Sequence, residues 1–352
     1  MVMGKKTALL LSGIILVAGG LLLSGWVTWA VFKPVPPRAP YSYALIKEGN
    51  VGSFPDLGLG EDDGKDHGDL VIRKYELRVE EIDKPVAVLH TGTREDESPV
   101  ILDWHSNLAE PVVNIASRIS QTTTVAKAVS KHAPEGASVI GWWDVSRRLK
   151  LLSQADVLFD RHLARPLLLP EVWRRHRETI EAEERKFWGM VQDQPQELLF
   201  ERFVEALLSD EQAAAAAALR RLTGGREAFL VFSLQDAFKL GAMHPDRFGI
   251  GFKDFAKSGD THGLASTIKK WLKEEGYDNY TMQQLHDTVV RVYFLTDERS
   301  SRTLLSQALP FSNSRPLELT EIELVYQHGD YWVYRVPPAA KAARLESDTP
   351  AL

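Results

Sequence analysis

The most sharply patterned stretch of the chain is apolar throughout. Thr7–Phe32, TALLLSGIILVAGGLLLSGWVTWAVF, runs 26 residues without a charge behind the tail MVMGKK. About 20 apolar residues suffice for a helix to cross the hydrocarbon core. Trp26 and Trp29 fall near its far end, where indole rings favour the interface. The run exceeds a secretory h-region of roughly 7–15 residues. It therefore predicts a retained anchor over 7–32 in contact with membrane lipid, with cleavage after TWA, Thr28–Ala30, as the alternative. A short tail, 1–6, ahead of a large body predicts an inner-membrane protein with its N-terminus cytoplasmic and its main domain periplasmic.

Beyond the anchor the pattern changes. KPVPPRAP, Lys33–Pro40, should be stiff, because proline fixes φ and blocks helix, and it opens an extended linker over 33–56. LVIRKYELRVEEI, PVAVLH and SPVILDW read as strands, the first with clear alternation. The period turns helical from about Asn107 to Ala133, returns to a strand in ASVIGWW, and is followed by the helical VSRRLKLLSQ and the strand-like ADVLF. A helical middle, 171–223, begins with EVWRRHRETIEAEERKFWG. That segment lines up Trp173, Arg177, Ile180, Glu184 and Phe187 and pairs Arg174 with Glu178 and Glu181 with Arg185 at i,i+4. ELLFERFVEALL and DEQAAAAAALRRL are two more helices, the second closed by Gly224–Gly225. EAFLVFS then reads as a strand, LQDAFKLGAM as a short helix, and VVRVYFL, IELVYQ and YWVYRV as a β-rich end. The order predicts an α/β fold, a mixed sheet with flanking helices, over 57–340, and a tail over 341–352.

Composition narrows the function. The 352 residues are 44 % hydrophobic and 26 % charged, as in ordinary globular proteins. A net charge of −6 gives no support for nucleic-acid binding. Cysteine is absent, which excludes disulfides, thiolate nucleophiles, cysteine-ligated zinc, iron–sulfur clusters and covalently attached c-type haem. Among ten histidines, His67, His90, His105 and His162 are the better placed, but none sits at H-x₃-H or H-E-x-x-H spacing, and His176 lies on a charged helix. The acidic loop GLGEDDGKDHGD, Gly58–Asp69, carries Glu61, Asp62, Asp63, Asp66 and Asp69. Its spacing is not that of an EF-hand, so a solvated turn is preferred to a calcium site. A metal-dependent hydrolase built on that loop and His105 is an alternative. No G-x-S-x-G elbow or phosphate-binding glycine loop is present. No catalytic residue, cofactor or metal is assigned.

Two clusters of side chains stand out. Trp142, Trp143 and Asp144 end the apolar run ASVIGWW, so Asp144 falls where open α/β sheets form their ligand crevices. The simpler reading of Asp144 is a cap for the helix that follows, with both rings packing. In FDRHLARP, the residues Asp160, Arg161, His162 and Arg165 crowd one corner, either as internal ion pairs or as a site for an anion or an acidic partner.

GASVIGWWD resembles the WWD signature of the exported globular domain of oligosaccharyltransferase catalytic subunits. SLQDAFKLGAM is similar to their second signature, D-x-x-K-x-x-x-M/I, through Asp236, Lys239 and Met243. The resemblance covers about Val125 to Met243. It implies a peptide- or glycan-binding groove in which Trp142, Trp143 and Asp144 hold a hydroxyl beside Lys239 and Met243. The chain departs from that family in having Val145–Ser146 where Tyr-Gly is usual and one apolar segment where the family has many. As a whole the chain resembles the hydroxylamine oxidation protein HaoB family, through its N-terminal anchor, its lack of cysteine and the segments NVGSFPDLGLG, GWWDVSRRLKLL and FDRHLARPLLLPEVW. That resemblance implies an accessory, docking role in nitrification. The partner it implies is a periplasmic c-type redox enzyme, hydroxylamine oxidoreductase.

Overall fold

A computed structural model describes residues 38–59, 69–94, 97–106, 118–190, 192–257, 261–286 and 288–338. The expected anchor, 7–32, the expected tail, 341–352, and most of the acidic loop lie outside these. Among the described residues no helix is long and apolar enough to cross a membrane. From Pro40 onward the chain forms one compact unit.

Strands and helices mix as an α/β fold should, but among the described residues over three sheets rather than one. The first is an antiparallel meander, β1 (Ser42–Gly49), β2 (Leu70–Arg78), β3 (Ala87–Arg94) and β4 (Val100–Ser106). β1 falls inside the span expected to be an extended linker. Its tyrosine, leucine and isoleucine do not alternate with polar residues, and as an edge strand it leaves Leu45 and Ile46 half exposed. One face of this sheet sends Leu70, Ile72, Val100 and Leu102 into the main core. The other sends Leu89 and Ile101 against Trp188.

The second sheet has the order β10 (Glu323–His328), β11 (Tyr331–Val336), β6 (Ala228–Ser233), β5 (Ser138–Gly141). β5 and β6 are parallel, Ser138 opposite Ala228 and Gly141 opposite Val231, and every residue of both strands is buried. Such continuous apolar runs suit strands covered on both faces. The helices α1 (Ile119–His132) and α2 (Trp143–Ser153) pack on each other beside this sheet. Fully buried Arg148 of α2 donates to Thr122 Oγ1 of α1 at 3.1 Å. The expected strand ADVLF shrinks to a single bridge between Val139 and Val157. Phe159, just beyond it, is instead buried against Phe200 and Phe203.

The middle of the chain is helical: a 3₁₀ segment Glu171–His176, then α3 (Arg177–Phe187), α4 (Gln194–Leu208) and α5 (Gln212–Leu222). α6 (Leu234–Met243) follows β6 directly. The third sheet, in the order β7 (Ile250–Ala256), β9 (Val289–Leu295), β8 (Tyr280–His286), shares a small core with α7 (Thr261–Glu275) through Ile268, Leu272, Val292 and Phe294. Short helices α8 (Glu298–Arg302) and α9 (Leu304–Ala308) lead on toward β10.

The parallel β5–β6 pair positions everything that follows, since it brings the carboxyl ends of two strands, and the starts of α2 and α6, side by side. Gly141 permits it: a Cβ there would stand 3.0 Å from the carbonyl oxygen of Val231. Leu230, fully buried in β6, tests this core. Leu230→Ala should cost about 2–5 kcal/mol in denaturant titration, whereas the same change at exposed Leu317 should cost almost nothing.

Candidate functional site

Asp144 does not end a strand, nor does it cap a helix. β5 stops at Gly141, Trp142 is the N-cap but its side chain makes no capping hydrogen bond, and Asp144 lies in the first turn of α2. The strand-to-helix turn is fixed by Ser146, whose Oγ accepts from Gly141 N at 3.1 Å and donates to Gly141 O at 3.2 Å. On α6, Ser233 and Asp236 form a capping box, and Ser233 N donates to Asp236 Oδ2 at 2.7 Å. A carboxylate in a first helical turn is favoured by the helix dipole.

The two first turns meet through one cation. Lys239 Nζ donates to Asp144 Oδ1 and Oδ2 at 2.9 and 2.8 Å and to Asp236 Oδ1 at 3.2 Å. All three residues are buried. Burial disfavours the charged lysine, but Asp144 and Asp236 outweigh it and hold its pKa above the ordinary value. Burial likewise raises the pKa of Asp236, against the pull of Lys239 and with the help of Asp144. Both oxygens of Asp144 are thus engaged inside the protein.

The tryptophan pair has a different partner. Both indole N–H groups donate to the carbonyl of Arg165, Trp142 at 3.3 Å and Trp143 at 2.5 Å. One carbonyl therefore satisfies two buried rings and pins the 162–166 loop to the start of α2. In that loop Ala164 adopts φ 57°, a left-handed conformation uncommon outside glycine. Ala164 N donates to His162 Nδ1 at 3.3 Å, so the neutral imidazole carries its proton on Nε2. That Nε2 is buried without a partner. The ring lies 4.1 Å from Trp143 and 5.3 Å from Trp188, centroid to centroid. Burial, aided by Arg147, pushes the His162 pKa well below its usual value.

The two clusters meet in a cavity of about 420 Å³. Trp143, His162, Arg165, Glu184, Arg185 and Met243 are among its walls. Asp144, Asp236 and Lys239 are not among the residues that line it. Of the FDRHLARP cluster, Asp160 and Arg161 lie elsewhere: Lys150 Nζ is 3.0 Å from Asp160, and Arg161 is 3.7 Å from Asp160 and 3.6 Å from Asp193. Arg165 Nη1 reaches Glu201 at 3.3 Å.

Glu184 was legible as a charge inside an apolar stripe. It is buried and accepts from Tyr41 OH at 2.5 Å, Tyr43 OH at 2.8 Å and Trp188 Nε1 at 2.8 Å. Burial raises its pKa, and these three donors oppose the rise. Tyr41, Tyr43 and Trp188 carried no sequence signal, because their common partner is remote in the chain. Of the other histidines, His90 lies 3.8 Å from Asp103, His105 is exposed, and His176 accepts from Arg175 Nε at 3.1 Å. His67 lies outside the described residues, as does the acidic loop apart from its ends; Asp69 at one end pairs with Arg94. Among the described residues, no three histidine or acidic side chains converge at metal-binding spacing.

Lys239→Met should cost about 3–5 kcal/mol, since two buried carboxylates lose their cation. Asp144→Asn should cost clearly less, because Lys239 keeps Asp236; equal losses in denaturant titration would refute the shared cation. A second expectation concerns pH. The folded pKa of His162 lies below the ordinary 6.5, so the unfolded chain protonates first as pH falls. Stability from this group is full above that value and declines below it. Melting temperature should fall on acidification from neutral, and His162→Phe should flatten that fall between pH ~6.5 and ~5.

A comparison with curated proteins finds no match. Among solved structures, the C-terminal domain of PglB from C. jejuni is similar at 12 % identity with a TM-score of 0.35, over 61 % of this chain and 98 % of that one. A likeness that distant bears on neither fold nor function. The family described as HaoA-associated protein HaoB matches residues 5–336. With the match running through the Trp142–Asp144 turn, the Arg165 loop and the Lys239 helix alike, the chain belongs to the HaoB family.

Proposed function

We propose that this protein is a membrane-anchored accessory subunit that docks HaoA, the hydroxylamine oxidoreductase, on the periplasmic side of the inner membrane. One observation carries the reading: the match to HaoA-associated proteins takes in residues 5–336, apolar segment and folded unit together. The 26-residue apolar run supports anchoring. A chain without cysteine cannot carry covalently attached c-type haem, so electron chemistry of that kind belongs to the partner. The site supports the same division. Its most heavily charged element, Asp144–Lys239–Asp236, is closed on itself by hydrogen bonds and is suited to holding two helices together.

Detergent extraction of membranes holding the tagged full-length chain, followed by affinity capture, should yield HaoA in comparable amount. Replacing residues 1–32 by a cleavable secretory signal peptide should leave HaoA bound and move the pair to the soluble fraction. A tagged chain that elutes without HaoA under mild extraction would rule the docking reading out.

A further inference from the structure

We infer that the cavity beside Trp143 receives a polypeptide segment of HaoA, an apolar side chain entering it while charged neighbours meet Arg185 and Glu197; this rests on the docking reading above. About 420 Å³ falls within the roughly 300–1,000 Å³ of ligand-sized clefts. Trp143, Leu167, Met190 and Met243 supply apolar wall. Methionine adapts its shape and recurs at surfaces that grip varied peptides.

Charge selects the occupant. Arg177 is 3.4 Å from Glu181, and Arg165 is held by Glu201, so both are already paired. Arg185 and Glu197 line the cavity without an ion pair among the described residues. One free cation and one free anion suit a dipolar main chain with side chains of both signs. A small multiply charged anion would instead be set against Glu181, Glu184 and Glu197. Exposure separates a peptide from a small molecule. Arg165, Arg177, Arg185, Gln192 and Ala242 are all exposed around this cavity. A small ligand is normally buried over most of its surface, whereas a side chain reaching in from a larger body is sealed by that body.

The test uses the detergent-solubilised full-length protein with purified HaoA as the probe. Ala242→Trp fills the mouth from an exposed position, and Arg185→Glu reverses the free cation; unchanged melting curves would show that both variants fold. Each should weaken HaoA binding by about tenfold or more, and Arg185→Lys should retain most of it. Parental affinity in both variants would overturn the inference while leaving docking intact. If the parent itself fails to bind HaoA, the docking reading fails and this inference falls with it. If the parent self-associates and Ala242→Trp abolishes that, the occupant is a second copy of this chain and the inference is again overturned.

Discussion

The fold is organised around one ammonium group shared by two buried carboxylates. Lys239 lies between Asp144 and Asp236, and each carboxylate belongs to a helix that starts where a strand of the parallel β5–β6 pair stops. An unpaired charge in that position would be expensive to bury. The strands could pair, and α2 and α6 could pack, with many side chains. This trio ties the relative placement of the two helices to a hydrogen-bond geometry that tolerates little slippage. Gly141 and Ser146 then set the turn on one side, and the Ser233–Asp236 capping box sets it on the other.

A second restraint is layered on the first. Because α2 is fixed, the indoles of Trp142 and Trp143 present their N–H groups in a defined place, and the carbonyl of Arg165 accepts both. The loop so held carries His162 between Trp143 and Trp188 and closes one side of the cavity. The ion trio and the cavity are therefore neighbours of different character: the first is satisfied internally, and the second has exposed residues at its rim.

Much of this was readable from residue order, and the rest was not, for physical reasons. The tryptophan pair and the Asp-x-x-Lys spacing were visible, since both are local. That Lys239 would claim Asp144 was not visible, since 95 positions separate them and only strand pairing unites them. The helical middle followed from its periodicity. β1 did not, because an edge strand need not alternate, and the third sheet was only partly legible, because YTMQQLH is too polar to stand out as β8. ADVLF shows the opposite failure: a largely apolar run that makes a single bridge rather than a strand, with only Phe159 fully buried. Glu184 lay in plain view within an apolar stripe, yet its importance depends on Tyr41 and Tyr43, more than 140 positions earlier.

Those two tyrosines give the cavity a mechanical link to the chain's beginning. Tyr41 stands nine positions after Phe32, where the apolar run ends, and it shares with Tyr43 the oxygen Oε1 of Glu184. Any force that peels the first strand from the body removes two of that carboxylate's three donors. Tension on the leading segment would thus be felt at a residue in the wall of the cavity.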